Sequence, residues 1–537
     1  MDIPIGPGRA PDAPLLLLSI DRDADRPLFE QVYRGLREAI VHGRLAPGAR
    51  LPSTRALAAD LDVSRSTVVL AFDQLRLEGY TEGRRGGGTH VRSAIPDRLL
   101  RPAAARGRGE RAGKEAGAAR GMEKAGTWGG MPPNGKAAEP GLSRRGELLA
   151  RAGQSFRTLA GRPPTPFELG VPAVDAFPAR IWARLAGRRW RHGDIPLGDA
   201  DPAGLPALRE AVTEYVVQAR AARCTADRVL ITNGAQQALD LAARILLDPG
   251  DAVWTEDPGY FGARVALQAA GARLVPVPVD DKGMDVGAGE RAAPDARLAC
   301  VTPSHQFPLG AVMSAPRRLE LLSWARRSGA WIVEDDYDSE FRYAGRPLPC
   351  LQGLEAERLE GSGAPRVLYV GTFSKTLIPG LRLGYLVVPD ALVDAFRAAR
   401  AVHDGHTPVA GQAVLADFLG EGHYARHLRR VRALCAERQS ALRAAVAEEL
   451  GGLLTVAPDP AGLHVVGRLV PGIEEEEAAS AAAERDVIVS PLSRYYLAQR
   501  KQAEPEALLM GYAGFDEERI RSAVRRLGSA LRAVAAR

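Results

Sequence analysis

The run Gly371-Thr372-Phe373-Ser374-Lys375-Thr376-Leu377-Ile378-Pro379-Gly380-Leu381-Arg382-Leu383-Gly384-Tyr385 follows an apolar stretch, Arg366 to Val370 (RVLYV). That stretch predicts a buried strand ending in a Gly/Thr/Ser turn. Lys375, at the end of such a strand, is held over the edge of a sheet. Desolvation there disfavours the ammonium form and lowers its pKa, as imine formation with an aldehyde requires. Ser374 and Arg382 are spaced to clamp a dianionic phosphate beside that aldehyde. Taken alone, Lys375 reads as readily as one surface lysine among many. Its company upstream decides the matter.

Upstream, strands and helices alternate. RVLIT (228–232) leads into Asn233-Gly234-Ala235-Gln236-Gln237 and a helix to Leu247. AVWTEDPGY (252–260), RLVPVPVD (273–280), LACVTPSHQFPLG (298–310), a helix over 316–328 and WIVEDDYD (331–338) follow in order. Alternating βα units of this size predict a mainly parallel sheet with helices on both faces and ligands at the carboxyl ends of the strands. The polar motifs fall at those ends. Gly234, Ala235 and Gln236 open a helix directly after a strand, where free N–H groups and the positive dipole end hold phosphate. Tyr260 can stack on an aromatic ring, or simply pack its turn. Asp335 can pair with a protonated ring nitrogen and Tyr337 with a ring hydroxyl; Asp335 can also be read as a helix-end cap and Arg382 as a surface ion pair. Such residues in this order at strand ends are hard to produce by chance.

The first third of the chain reads differently. Pro27 to His42 sets Leu28, Val32, Leu36, Ile40 and Val41 on one helical face, with Gly43 as the stop. Ser53 caps a short helix carrying Leu57, Ala58 and Leu61. Asp62-Val63 turns the chain, and Ser64 caps a second helix running to Glu78 with Val68, Phe72 and Leu75 inward. Arg65, Ser66 and Thr67 then lie at its exposed first turn, the geometry that reads a major groove, with Arg55 suited to phosphate. Tyr80 to Val91 (YTEGRRGGGTHV) predicts two short strands around a basic glycine turn carrying Arg84 and Arg85, a wing for a minor groove or backbone. No GK[ST] follows those glycines, so they are not a phosphate loop.

Between 101 and 140, 23 of 40 residues are Gly, Ala or Pro, and no apolar periodicity survives. Residues 94–141 therefore read as a flexible linker between a module at 27–93 and a larger domain at 142–537. The chain's net charge of +6 is uneven: +3 over 27–93, +8 over 95–165, −2 before residue 27 and about −3 after 165. That asymmetry suits a nucleic-acid partner for the N-terminal part only. The start of the chain has no basic, long apolar leader, and Cys224, Cys300, Cys350 and Cys435 form no CxxC pair. The expectation is a cytoplasmic protein with no membrane span, disulfide framework or metal site.

Residues 27–93 resemble the winged helix-turn-helix of the GntR regulators. The marks are Leu51-Pro52-Ser53-Thr54-Arg55, Val63-Ser64-Arg65-Ser66-Thr67-Val68 and Glu78-Gly79-Tyr80. Residues from about 166 onward resemble the fold-type-I aminotransferases that bind pyridoxal 5′-phosphate. Joined, the two are similar to the MocR family of regulators, of which Thr302-Pro303-Ser304-His305-Gln306-Phe307-Pro308 and Glu334-Asp335-Asp336-Tyr337-Asp338-Ser339-Glu340-Phe341 are typical. The resemblance implies an α+β winged helix-turn-helix followed by an α/β aminotransferase-like domain with a smaller C-terminal α/β subdomain. It implies pyridoxal phosphate held as an internal aldimine on Lys375, a homodimer through the aminotransferase-like domains and a double-stranded DNA operator.

Two departures bear on activity. The Asn-Pro-x-Gly-type segment that touches the ring hydroxyl in aminotransferases here reads His305-Gln306-Phe307-Pro308-Leu309-Gly310, with His305 a candidate contact. The Tyr of a Gly-Tyr-Gly-Asp-Pro run is replaced by Asp199 in Gly198-Asp199-Ala200-Asp201-Pro202. An acid there would repel the phosphate reached from the neighbouring subunit. Both argue against efficient turnover and leave the cofactor's anchors in place. Arg494, in Ser490-Pro491-Leu492-Ser493-Arg494-Tyr495-Tyr496, is a candidate for an effector's carboxylate, or a surface arginine. The leading expectation is a regulator sensing pyridoxal phosphate or an amino compound through it. An active aminotransferase with an appended DNA-binding domain is the alternative.

Overall fold

The computed structural model describes residues 20–22, 24, 26–84, 88–93, 141–157, 162–193, 195–196, 198–344, 348–358, 364–498 and 505–536. The predicted linker, apart from its last residue, and Arg85 of the predicted wing lie outside the described residues. Two units divide the chain, 1–132 and 133–537.

In the first unit, α1 (Leu28–Val41), α2 (Thr54–Asp60) and α3 (Arg65–Leu77) precede a hairpin of β1 (Thr81–Arg84) and β2 (Gly88–Val91). The helical spacing of α1 buries Val32, Leu36, Ala39 and Ile40, and that of α3 buries Val68, Ala71, Phe72 and Leu75 against Leu57 and Ala58 of α2. Each large apolar side chain removed from water there stabilises the module by about 1.5–3 kcal/mol. Between α2 and α3 the chain turns through Asp62 in the left-handed region (φ 50°), which a short polar side chain tolerates. The hairpin is antiparallel from Thr81 opposite Val91 to Arg84 opposite Gly88. Leu51 N donates to Thr89 O and Val91 N to Ala49 O, both at 2.9 Å, which pins the lead-in to α2 onto the wing.

The second unit is built on an eight-stranded sheet. Its strands are β3 (Val229–Thr232), β4 (Ala252–Asp257), β5 (Arg273–Asp280), β6 (Gly283–Met284), β7 (Leu298–Val301), β8 (Trp331–Asp336), β9 (Val367–Thr372) and β10 (Gly384–Val387), in the order β3-β10-β9-β8-β7-β4-β5-β6. β5-β4-β7-β8-β9 run parallel, as alternating βα units predict, and β10 is antiparallel to both β9 and β3. Successive residues of β4 and β7 feed opposite cores: Val253, Leu298 and Cys300 pack with helix Ala235–Leu246, while Trp254, Ala299 and Val301 pack with helix Ala315–Ser328. Trp254 and Trp324 stack at 3.7 Å between centroids in the latter. Because β3 runs parallel to β9, the carboxyl ends of β3, β4, β7, β8 and β9 share one edge. All the strand-end motifs therefore meet there.

A second sheet is wholly antiparallel: β11 (Leu454–Val456), β12 (His464–Leu469), β13 (Ser490–Pro491) and β14 (Ala507–Gly511), in the order β11-β12-β14-β13. Helices His423–Glu449 and Glu517–Ala535 cover it. The chain entering the unit lies along β14, with Gly511 N donating to Phe167 O at 2.9 Å. A side chain at Gly511 would strike Glu168 O at 2.3 Å, so the close approach requires glycine. This strap delivers Gly170 from the small sheet to the large sheet's edge. Among the described residues no helix is long and apolar enough to cross a membrane.

Candidate cofactor pocket and nucleic-acid interface

Lys375 stands three residues beyond the end of β9, and its Nζ donates to Gly170 O at 3.1 Å. Burial pushes its pKa down, against the opposing pull of Asp338 and Asp335. A side chain at Gly170 (φ 80°) would come within 3.1 Å of that amine. The strap thus reaches the lysine with backbone alone.

Asp335 is the next-to-last residue of β8, whose pleat sends it to one face and Glu334 and Asp336 to the other. Glu334 accepts from Leu351 N at 3.0 Å, and Asp336 from Arg220 Nε at 2.7 Å and from Tyr369 Oη at 2.5 Å. Asp335 Oδ1, like Asp336 Oδ1, is buried without a partner among the described residues, and Asp335 lacks the bonds that Asp336 makes through its other oxygen. Burial, with Asp336, Glu256 and Asp338 adding repulsion, lifts its pKa to about 7. A buried acceptor left open costs about 1–3 kcal/mol, and a cationic N–H supplied by a ligand removes that cost. Behind it, Glu256 is also lifted to about 7 by burial, and its carboxylate receives Thr302 N, Thr302 Oγ1 and Gln306 Nε2. Sequence reasoning missed Glu256; its only signal was its place beside Asp257-Pro258.

Arg382 follows the 3-10 turn after Lys375. It takes the left-handed conformation (φ 51°), and its Nη2 donates to Asn233 O at 2.7 Å. A Cβ at Gly234 (φ 87°) would sit 3.2 Å from that guanidinium, and the left-handed backbone there favours glycine. Gly234 caps helix Ala235–Leu246 with no side-chain bond, leaving the N–H groups of Ala235 and Gln236 to a ligand. The Gln236 side chain turns aside: its Nε2 donates to Gly262 O at 2.8 Å and its Oε1 receives Tyr260 Oη at 3.4 Å. Tyr260 is half-buried, and its phenol is lifted to about 12 by burial and by Asp335. Ser374 is half-buried beside Lys375, its N–H bonded to Thr372 Oγ1.

The structure revises three expectations. Tyr337 lies one residue past β8 rather than on its face, turned by the bend that follows Asp336. His305 is turned to protein partners. It is 2% exposed, with Nδ1 3.0 Å from Tyr337 Oη and 2.9 Å from Asp338 Oδ2, and Nε2 3.4 Å from Asp459 Oδ2. Those carboxylates outweigh burial and lift its pKa to about 10. Arg494 is exposed and already engaged: Nε and Nη2 bind Glu476 Oε1 and Oε2 at 2.9 and 2.5 Å. The ring sequence reasoning overlooked is Phe307, edge-on to Tyr260, Tyr337 and Tyr495 at 5.8, 5.9 and 5.3 Å. Asp199 is exposed.

In the first unit, Ser53 Oγ accepts from Ala56 N at 3.2 Å and Ser64 Oγ from Thr67 N at 3.1 Å, the caps the sequence predicts. Ser64 Oγ also meets Ser66 Oγ at 2.7 Å and Thr67 Oγ1 at 2.8 Å, which links the hydroxyls of the first turn of α3 and leaves each further hydrogen-bonding capacity. Arg55 and Arg65 are exposed on the same two helices, and Arg84 ends β1.

Family comparisons agree with both halves. The gntR family of bacterial regulatory proteins matches residues 28–91, and the class I and II aminotransferases match 199–527. Among solved structures, the α-aminoadipate aminotransferase LysN of Thermus thermophilus, complexed with N-(5′-phosphopyridoxyl)-L-leucine, superposes with a TM-score of 0.65 at 32% identity. That match covers 73% of this chain and 98% of the enzyme. The pyridoxine biosynthesis regulator PdxR of Corynebacterium glutamicum is 29% identical over 91% of this chain and 93% of its own length. The probable rhizopine catabolism regulatory protein MocR of Rhizobium meliloti is 42% identical over 521 residues, 96% of each chain. Both units, in the same order along one polypeptide, are shared with that relative, and the chain belongs to the MocR family of GntR-type transcriptional regulators.

Proposed function

We propose that pyridoxal 5′-phosphate bound in the second unit governs operator binding by the first. The observation that carries this reading is the unpartnered, buried Oδ1 of Asp335, close enough to Lys375 for each to act on the other's charge. Lys375 would hold the cofactor covalently, Asp335 its ring nitrogen, Tyr337 its ring hydroxyl and Tyr260 its ring face. The N–H groups of Gly234, Ala235 and Gln236, with Ser374 and Arg382, would hold its phosphate. When bound, the cofactor supplies an electrophilic carbon with which amines condense. Around it the chain's own groups do simple things. Asp335, ionised opposite a ring cation, gains the partner it lacks. Desolvation keeps part of the Lys375 population neutral and therefore nucleophilic.

We further infer a homodimer through the aminotransferase-like units, two operator half-sites, and a small amino compound as a possible second effector. Arg55, Arg65, Ser66, Thr67, Arg84 and Arg85 are assigned to DNA, Arg65 to a base edge and Arg55 to phosphate. Ser53 and Ser64 would act from the helix starts. The regulatory reading is favoured over catalysis because Arg494, the candidate cation for a substrate carboxylate, is neutralised by Glu476, and an aromatic ring, Phe307, lies against Tyr337.

The test is borohydride reduction of cofactor-treated protein followed by peptide mapping, alongside a transaminase assay. Adduct on Lys375 with turnover far below roughly 10 per second supports the reading. Adduct on another lysine removes the site assignment, and turnover in that ordinary enzyme range favours an active aminotransferase.

A further inference from the structure

One buried charge cluster joins the two sheets of the second unit at the pocket's edge. His305, in the loop after β7, touches Tyr337 and Asp338 with Nδ1 and approaches Asp459 with Nε2. Asp459 belongs to the loop joining β11 and β12 of the small sheet, and its side chain is 18% exposed against 1% for His305 and Asp338. Two glycines let this loop close on the imidazole. A Cβ at Gly462 (φ 88°) would lie 2.2 Å from His305 Cε1, and one at Gly310 (φ 78°) would lie 2.7 Å from Asp459 Oδ2. Asp459 Oδ1 meanwhile accepts from Ala461 N at 3.0 Å, so one carboxylate shapes the loop and reaches the histidine.

We propose that His305 is a positioning residue linking Asp459 to Tyr337, so that seating a cofactor against Tyr337 and docking the 457–463 loop are one coupled event. The inference rests on the cofactor reading above. Its physics is that of a polarised hydrogen-bond chain. Nε2–H points to Asp459, and Nδ1–H is shared between Asp338 and the oxygen of Tyr337. A ring oxygen that accepts from Tyr337 Oη makes the Tyr337 oxygen a better acceptor and draws the Nδ1–H away from the carboxylate of Asp338; the imidazolium, less neutralised on that side, then donates more strongly from Nε2 to Asp459. Two carboxylates flanking one buried imidazole hold it as a cation: Asp338, 1% exposed, pairs with it in the interior, and Asp459, 18% exposed, adds to that pairing from the rim. At 3.4 Å the Asp459 contact is the longest in the chain and so the one with most to gain. His464 of β12, 5.7 Å away between ring centroids, is occupied by Pro308 O at 2.9 Å and does not compete.

Backbone bonds hold the same loop independently: Tyr343 N donates to Pro460 O at 2.7 Å and Gly462 N to Phe341 O at 2.9 Å. Removing the charge contact should therefore loosen the loop without unfolding it. Asp459→Asn keeps the volume and the acceptor for Ala461 N. His305→Gln is the second variant.

The experiment is hydrogen exchange over 457–463 in full-length protein, with and without saturating pyridoxal phosphate, saturation being read from visible absorption. In the wild type, exchange at Ala461 and Gly462 should slow by about 3–10-fold on adding the cofactor, the scale of one hydrogen bond. In Asp459→Asn that response should vanish, the cofactor dissociation constant should rise by about 3–10-fold, and the unfolding midpoint should barely move. His305→Gln should lose the response as well. A response that persists in variants still binding cofactor would overturn the coupling, as would a wild type that binds cofactor without any response. A wild type showing no absorption change would instead overturn the cofactor reading on which the coupling rests.

Discussion

The two units build their sites by opposite means. In the first, the groups that set the helix starts are three residues apart: Ser53 with Ala56, Ser64 with Thr67. In the second, each anchor is fixed by a partner far along the chain: Lys375 by Gly170 at a separation of 205, Arg382 by Asn233 at 149, His305 by Asp459 at 154. A locally capped helix carries its geometry with it. A pocket assembled from distant segments exists only when the whole unit has folded, and its buried charges are the cost of that assembly.

The comparison can be broken first in alkali. His305 is raised to about 10 from an ordinary 6.5, so its contribution to stability is fully present below about 6.5 and is lost as pH rises through about 10. Glu256, Glu334 and Asp335 lose theirs earlier, on the way up to about 7. Lys375, its pKa lowered, pulls the other way. In the first unit Tyr33 is lifted to about 12 by burial and by Glu78, above this window. Calorimetry from pH 6.5 to 10 should thus show the second unit's transition falling relative to the first's, and His305→Gln should flatten that fall. Parallel movement of both transitions would deny the buried cation.

Next in size, Asp335→Asn should weaken pyridoxal phosphate binding by about 10–150-fold, the scale of a buried charge-assisted bond, without affecting DNA binding by cofactor-free protein. Titration of the visible band measures it. Arg65→Ala should relax operator preference by roughly 1–3 kcal/mol, whereas Arg55→Ala should weaken all sequences alike and lower the salt slope by about one. Smallest is Ser64→Ala, which should cost the first unit about 1 kcal/mol of stability and leave cofactor binding untouched.

How far the sequence could be read follows the same division. The caps, the hairpin and the strands that carry Asp335 and lead to Lys375 were legible because periodicity and turn chemistry are local. The expected carboxyl-end cluster of a parallel sheet needed one topological rule beyond that. Gly170 against Lys375 was not legible, since a backbone carbonyl carries no side-chain signal. Nor was His305 behind Tyr337: its partner Asp459 lies in another sheet, in a loop with no recognisable pattern. Arg494 shows the converse, a residue whose two readings, ligand contact or surface arginine, the sequence left open. A run of Ser-Arg-Tyr-Tyr looks like a ligand site, yet its partner is Glu476, on helix Glu475–Ala483.

The central claim is that the long-range pocket controls the locally built reader. Its direct test is operator affinity of the full-length protein with and without saturating pyridoxal phosphate, in the wild type and in Lys375→Ala. A coupling of about 1–3 kcal/mol predicts a change of roughly 5–150-fold in the wild type and none in the variant. Unchanged operator affinity and unchanged DNA bending in cofactor-saturated wild-type protein would contradict it.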